Sequence, residues 1–254
     1  MFFDSHAHLT DPDISLKNVV SDICDGQLSK VMTVGYDIKS SLEGVKIADT
    51  YDNIYSSVGI HPHSAVDVDD ESLRALEKAA KESSNVKAVG EIGLDYYRDL
   101  SPREAQRIAL IRQIDLAHSL KLPIVLHIRD AYGDMQKILS EHKDKLQQGV
   151  LLHCFSGSAE VAKYYTKLGY YISFSGAITF KKANFDDIIK SVPPQLILIE
   201  TDCPYLSPEP LRGKINRPAN VQYVAQKISQ VLKLSLEEVA NITRNNAIRF
   251  FDIK

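Results

Sequence analysis

Eight short apolar stretches recur along the chain, at residues 2–4, 30–35, 54–59, 87–91, 123–127, 150–153, 170–175 and 196–201. They are rich in β-branched and aromatic residues, and longer stretches of mixed polarity separate them. Several are nearly unbroken apolar sequence, such as V-L-L-H at 150–153 and L-I-L-I-E at 196–200. A strand with one wet face alternates in polarity, whereas a strand buried on both faces does not. The runs therefore predict parallel strands covered on both sides.

Between the runs the period becomes helical. Ser101-Pro102-Arg103-Glu104 predicts a helix start, with Ser101 as cap, Pro102 in the first turn and Glu104 closing a capping box. Leu110, Ile111, Ile114 and Ala117 continue that helix, and Pro123 opens the next strand. Ser158 caps a helix carrying Val161, Tyr164, Tyr165 and Leu168, which Gly169 stops. A second capping box, Ser235 to Glu238, starts a final helix reaching about Phe250.

Eight strands alternating with helices predict a (β/α)8 TIM-type barrel with an extra C-terminal helix. A doubly wound open sheet is the alternative, and the lack of a glycine-rich loop after the first strand disfavours it. No linker, low-complexity tract or short repeat interrupts the pattern, so residues 1–254 read as one domain.

Composition narrows the class. The 254 residues are 44% hydrophobic and 25% charged, with a net charge of −3, which excludes a strongly basic nucleic-acid coat. It leaves room for local phosphate binding, because bound cations supply positive charge. The three cysteines, Cys24, Cys154 and Cys203, form no C-x-x-C pair and fit a reducing compartment. The N-terminal residues do not read as a signal peptide, and no run of about 18 apolar residues predicts a membrane span. The expectation is a cytoplasmic protein, monomeric, with no membrane association.

The chemistry collects at the ends of the predicted strands. His6 and His8, in D-S-H-A-H-L, follow the first, and His61 and His63, in G-I-H-P-H, follow the third. Glu91, in V-G-E-I-G-L-D, closes the fourth; His127, in L-H-I-R-D, the fifth; His153, in L-L-H-C-F-S-G, the sixth; Asp202, in I-E-T-D-C-P-Y, the eighth. His118 and His142 fall within helices. In a barrel the carboxyl ends of the strands converge on one mouth, where active sites are built. Six imidazole and carboxylate groups (His6, His8, Glu91, His127, His153 and Asp202) exceed what one open catalytic ion takes. They suit two divalent cations, Mg2+, Mn2+ or Zn2+, about 3.5–4 Å apart with Glu91 as the bridge. Cys154 and Cys203 flank ligands but point away from them along an extended strand, and read as packing. Asp4 reads as a partner of a ligand, and Pro62 sets a turn that leaves His63 either structural or functional.

Taken together, D-S-H-A-H-L, V-G-I-H-P-H, V-G-E-I-G-L-D-Y-Y, L-H-I-R-D-A, H-C-F-S-G, E-T-D-C-P-Y-L-S-P and the later G-K-x-N-x-P resemble the TatD family of metal-dependent deoxyribonucleases, within the amidohydrolase-type barrel superfamily. The resemblance implies that His6, His8, Glu91 and Asp202 hold one cation, and Glu91, His127 and His153 the other. It implies a 3′–5′ exonuclease that hydrolyses single-stranded DNA, and RNA as a further substrate, with a metal-activated water, in DNA repair or degradation. Asp202 is then expected to orient and deprotonate the water. His61 and Arg129 would contact the phosphate, and Tyr96 and Tyr205 the sugar or a base; an ion pair with Asp130 or Glu200 is the other reading of Arg129. Two departures stand out: Cys203 follows Asp202 where the family commonly has Ser or Ala, and Arg217 follows Asn216 where an acidic residue is common. The alternative functions are hydrolysis of a small amide or ester and deacylation of D-aminoacyl-tRNA. In many such hydrolases a modified lysine bridges the metals, and here Glu91 takes that position.

Overall fold

A computed structural model describes residues 1–253. Among the described residues eight strands are present: β1 (Phe2–Ala7), β2 (Leu28–Val34), β3 (Ile54–Val58), β4 (Val86–Asp95), β5 (Ile124–Arg129), β6 (Val150–Leu152), β7 (Tyr171–Phe174) and β8 (Ile197–Ile199). Helices follow them as α1 (Leu16–Cys24), α2 (Ile38–Thr50), α3 (Asp70–Glu82), α4 (Arg103–Leu120), α5 (Tyr132–Glu141), α6 (Ala159–Lys167), α7 (Asp186–Ser191) and α8 (Val221–Leu232), with α9 (Leu236–Phe250) added at the end. The strands run in sequence order through one sheet. The fold is the expected (β/α)8 barrel with an extra C-terminal helix. By its contacts the chain divides into two compact units, residues 34–153 and residues 1–33 with 154–254.

In the unit of residues 34–153, Asp37 caps α2 through Ser40 and Asp69 caps α3 through Ser72, each pair forming a reciprocal capping box. The buried faces of these helices meet β3 and β4 in a core that includes Val45, Val58, Ile60, Leu76, Val86 and Leu116. Several predicted boundaries change: β5 continues to Arg129, so His127 lies inside its strand and does not close it. Strand β4 runs four residues beyond Glu91, because Ile92 to Asp95 continue the parallel ladder with β5, pairing Gly93 with His127 and Asp95 with Arg129. Glu91 therefore lies inside its strand and Asp95 closes it. The start of α4 also differs: Pro102 occupies the cap position without a side-chain bond, and the Ser101 hydroxyl donates to the His63 carbonyl at 2.7 Å. Buried Gln106 then ties Ser101 to β4, donating to the carbonyls of Ser101 and Asp95. His118 lies in α4 as expected, whereas His142 is the residue that ends α5.

In the unit of residues 1–33 and 154–254, β1 and β8 are linked beyond β8 by a parallel bridge between Ala7 and Cys203. Strand β1 extends to Ala7, so His6 is a strand residue and not a loop residue. Ser158 caps α6, accepting from the N–H of Val161, and Gly169 at φ +80° follows its end. Ser235 and Glu238 form the predicted box and start α9. That helix packs on β1 and β8: Phe251 lies 6.0 Å from Phe3, centroid to centroid, and Asn246 donates to the carbonyls of Pro194 and Ile197. These contacts lie at the amino ends of the strands, the end of a barrel that serves stability rather than chemistry. Among the described residues no helix is long and apolar enough to cross a membrane.

Candidate metal centre

Three imidazoles converge on one carboxylate oxygen in the unit of residues 34–153. Oε1 of Glu91 lies 2.7 Å from His153 Nε2, 2.8 Å from His127 Nδ1 and 3.4 Å from His61 Nε2. The His153 and His127 nitrogens are 3.5 Å apart. Strand alternation explains the convergence: Glu91 and Gly93 share a face of β4, and His127 sits opposite Gly93 on β5. A side chain at Gly93 is excluded, because a Cβ there would stand 2.0 Å from the His127 carbonyl oxygen, at φ +150°. Burial opposes ionisation of Glu91, but its interactions with His153 and His61 and the hydrogen bonds with His127 and His153 outweigh this and hold the carboxyl well below its ordinary range.

A carboxylate that the strand pattern did not single out organises this cluster. Asp95 is buried, and its Oδ2 lies 2.8 Å from His63 Nε2 and 3.2 Å from His127 Nε2. Against the cost of burial, the hydrogen bonds of His127, the Arg98 N–H and His63 hold Asp95 below the ordinary carboxylate range. The His127 ring donates from both nitrogens, to Asp95 and to Glu91, and against the effect of burial these bonds raise its pKa. With a cation in place, a neutral ring that keeps its Nε2 proton on Asp95 would offer the Nδ1 lone pair on the Glu91 side. This is the carboxylate–histidine arrangement that orients metal-binding imidazoles. The Nε2 of His63 is engaged by the same Asp95 oxygen. Period-2 alternation from Glu91 through Gly93 to Asp95 was the available signal for this residue.

His61 differs from the other rings in this cluster. Its Nδ1 accepts the His63 backbone N–H at 3.1 Å, so the neutral ring carries its proton on Nε2, towards Glu91. Burial lowers its pKa to about 4, overriding the opposing influence of Glu91, and keeps the ring neutral near pH 7. Although His61, Glu91 and His127 lie close enough to share an ion, His61 presents an N–H and not a lone pair.

A second donor set belongs to the other unit. Asp202 Oδ1 lies 3.3 Å from His8 Nε2 and 3.8 Å from His6 Nε2. Asp202 adopts φ 55°, a left-handed conformation that aspartate tolerates better than most residues. It is held there by its N–H, which donates to the His6 carbonyl at 2.9 Å. The Asp4 carboxylate accepts from the Thr201 N–H and hydroxyl and from the His6 N–H. Desolvation raises the Asp4 carboxyl well above its usual value despite these bonds. Buried Asn216 pins the same loop, donating to the carbonyls of Thr201 and Tyr205.

Both sets fit a divalent cation. Four ligands about 2.0–2.2 Å from a tetrahedral ion stand about 3.3–3.6 Å from one another. The separations are 3.3 and 3.8 Å in the Asp202 set and 2.7, 2.8 and 3.5 Å in the Glu91 set. The two short hydrogen-bonded pairs of the Glu91 set would part by about half an ångström to admit an ion. The donors are nitrogen and oxygen throughout. Cys203 is buried with its thiol pushed up by burial, and Cys154 contacts Ser175 Oγ at 3.2 Å.

The remaining candidates occupy distinct places. The Arg129 guanidinium lies over the Tyr97 ring, 4.1 Å from its centroid. The Tyr96 hydroxyl donates to Asp134 at 2.6 Å and receives Arg107 at 3.3 Å. Tyr205 is 56% exposed, with its ring 6.0 Å from that of His8. Arg217 pairs with buried Asp22 at 2.5 Å.

Barrel and donor sets together define the class: a metal-dependent hydrolase. Residues 3–252 match the family described as TatD related DNase. The chain belongs to that family. It is 41% identical over 256 residues, the full length of both chains, to the uncharacterised metal-dependent hydrolase YabD of Bacillus subtilis. It is 30% identical over 235 residues, covering 89% of this chain and 90% of the other, to the 3′-5′ ssDNA/RNA exonuclease TatD of Shigella flexneri. The crystal structure of YjjV, a TatD homologue of Escherichia coli, superposes with a TM-score of 0.92 at 29% identity, covering 100% and 98% of the two chains.

Proposed function

We propose that this hydrolase cleaves phosphodiester bonds of single-stranded DNA, and of RNA, from the 3′ end. His6, His8 and Asp202 from one unit, and Glu91, His127 and His153 from the other, serve as ligands of its divalent cations. The observation that carries the reading is the convergence of His127 and His153 on a single Glu91 oxygen, with Asp95 behind His127. The name of the Shigella relative supports the substrate class.

Bound divalent cations would lower the pKa of water and neutralise charge on the phosphate oxygens. The protein's own groups do the rest. The Asp202 carboxylate orients the attacking water and takes its proton, while Glu91 keeps its negative charge in place among the imidazoles. Neutral His61 turns its Nε2 proton from Glu91 to a phosphate oxygen, where negative charge grows as the water oxygen bonds to phosphorus. The ester P–O bond to the rest of the strand breaks, and its departing oxygen takes up the proton collected by Asp202. The Arg129 guanidinium supplies two parallel N–H groups to the same phosphate. Tyr205, exposed beside His8, offers a ring to the sugar or a base.

The decisive experiment incubates the purified chain with end-labelled single-stranded DNA in Mg2+ or Mn2+, then with chelator. Stepwise, metal-dependent shortening from the 3′ end is expected. No shortening under any of these conditions overturns the reading in favour of a small amide, ester or aminoacyl substrate.

A further inference from the structure

The two adjacent tyrosines after β4 have different surroundings. Tyr96 turns back into a network with Asp134 and Arg107, and Arg103 covers its ring at 4.4 Å. Tyr97 is 62% exposed, and its ring is backed by the guanidinium of Arg129 at 4.1 Å.

Strand geometry sets this pair beside the histidine cluster. Asp95 and Arg129 are register partners on adjacent parallel strands. Alternation puts Arg129 on the same side of β5 as His127, and Asp95 on the same side of β4 as Glu91. The link is also covalent and hydrogen-bonded. Asp95 engages His127 and His63 through Oδ2, while its Oδ1 accepts the backbone N–H groups of Tyr97 at 3.0 Å and Arg98 at 2.8 Å. One buried carboxylate therefore fixes both the imidazoles and the turn that displays Tyr97.

An aromatic ring already stacked on a planar cation has little freedom left to lose when a second flat group settles on it. The flat group that comes with a phosphodiester is a nucleobase, and base–aromatic stacking tolerates any sequence because every base has a π-face. We propose that Tyr97, backed by Arg129, is a nucleobase subsite that receives the base of the nucleotide whose phosphate lies at the β4–β5 histidine cluster. This rests on the nuclease reading above and adds a determinant to it: recognition of the base face by the second tyrosine of the pair.

The test compares metal-loaded wild-type protein, Tyr97→Ala, Tyr97→Phe and Tyr97→Trp on two end-labelled single strands. One ends in an ordinary 3′ nucleotide and the other in an abasic one. Wild type, Tyr97→Phe and Tyr97→Trp are expected to prefer the base-bearing end in kcat/KM, and Tyr97→Ala to lose about tenfold of that preference. Because the preference is a ratio within one preparation, partial misfolding of a variant does not mimic its loss. The chain contains no tryptophan, so Tyr97→Trp introduces a single emission reporter. Its fluorescence should be quenched by a base-bearing strand whose terminal linkage is a phosphorothioate, and less by the abasic counterpart. A preference that survives in Tyr97→Ala, or equal quenching by both strands, overturns the subsite while leaving the nuclease reading intact. A wild-type protein that cleaves neither strand overturns both.

Discussion

Asp95 and His127 stand 3.2 Å apart, carboxylate oxygen to Nε2, while the opposite nitrogen of the same ring lies 2.8 Å from Glu91. Their pairing decides which lone pair His127 offers. Replacing Asp95 with alanine removes the acceptor that keeps the proton on Nε2 and frees the ring to rotate. The expected result is a fall in affinity for Mn2+ or Zn2+ of about 10- to 100-fold, measured by calorimetric titration against a competing chelator. Asp95→Asn retains one acceptor oxygen and should lose less. Unchanged affinity in Asp95→Ala would show that the ring is oriented by something else.

Glu91 carries a heavier burden, because two imidazoles and the His61 N–H all face its oxygen. Glu91→Gln removes the charge and should lower both bound metal, measured by elemental analysis, and hydrolysis by more than about a hundredfold, beyond the loss expected for an outer partner such as Asp95. Metal removal gives a second measure. At a concentration of 100 times its Kd a ligand stabilises the folded chain by about 2.7 kcal/mol. That corresponds to roughly 5–10 °C in Tm for a protein of this size. Wild type should show this rise on adding metal after chelation, and Glu91→Gln should show little of it. Full activity with unchanged metal content would sink the assignment.

The architecture was legible because buried parallel strands write themselves as apolar runs, and ligands placed at their ends share one spacing with the strands. Less was visible where partners are remote in sequence or a boundary depends on pairing. The apolar run of β4 ends near Glu91, yet its ladder with β5 continues to Asp95, so the residue that orients His127 lay just past the predicted end. Ser101 looks like a helix cap until the His63 carbonyl, 38 positions away, claims its hydroxyl. Tyr96 and Tyr97 are equivalent as letters. Only the turn that Asp95 holds separates the one facing Asp134 from the one facing solvent.

Asn216 illustrates a buried polar residue whose value lies in what it holds. Its amide donates to the Thr201 and Tyr205 carbonyls, and its oxygen accepts from Asn220 Nδ2 and the Arg217 N–H. Asn216→Ala would strand several of these groups out of water, at about 1–3 kcal/mol for each one left unpaired. Thermal denaturation should show Tm lower by at least roughly 5 °C. Because the same loop carries Asp202, metal affinity should fall as well. A variant with native Tm and affinity would mean that the loop is held without it.

Arg217, the basic residue after Asn216, reaches Asp22 on α1, whose side chain is only 6% exposed. Burial raises the Asp22 carboxyl above its ordinary value, and Arg217 pulls it partly back. A carboxyl with a raised native pKa binds its proton more tightly in the folded than in the unfolded chain. Stability is therefore lost as pH rises from the unfolded value through the native one. Arg217→Ala removes the opposing charge, pushes the native value higher and widens that window. At acid pH, with Asp22 protonated in both proteins, the variant should nearly match wild type. Above the native value it should be less stable by about 1–2 kcal/mol, a figure discounted because the arginine is about half exposed. Urea denaturation at several pH values checks this, and a difference that stays constant across the range would place the effect of Arg217 in packing and not in its charge.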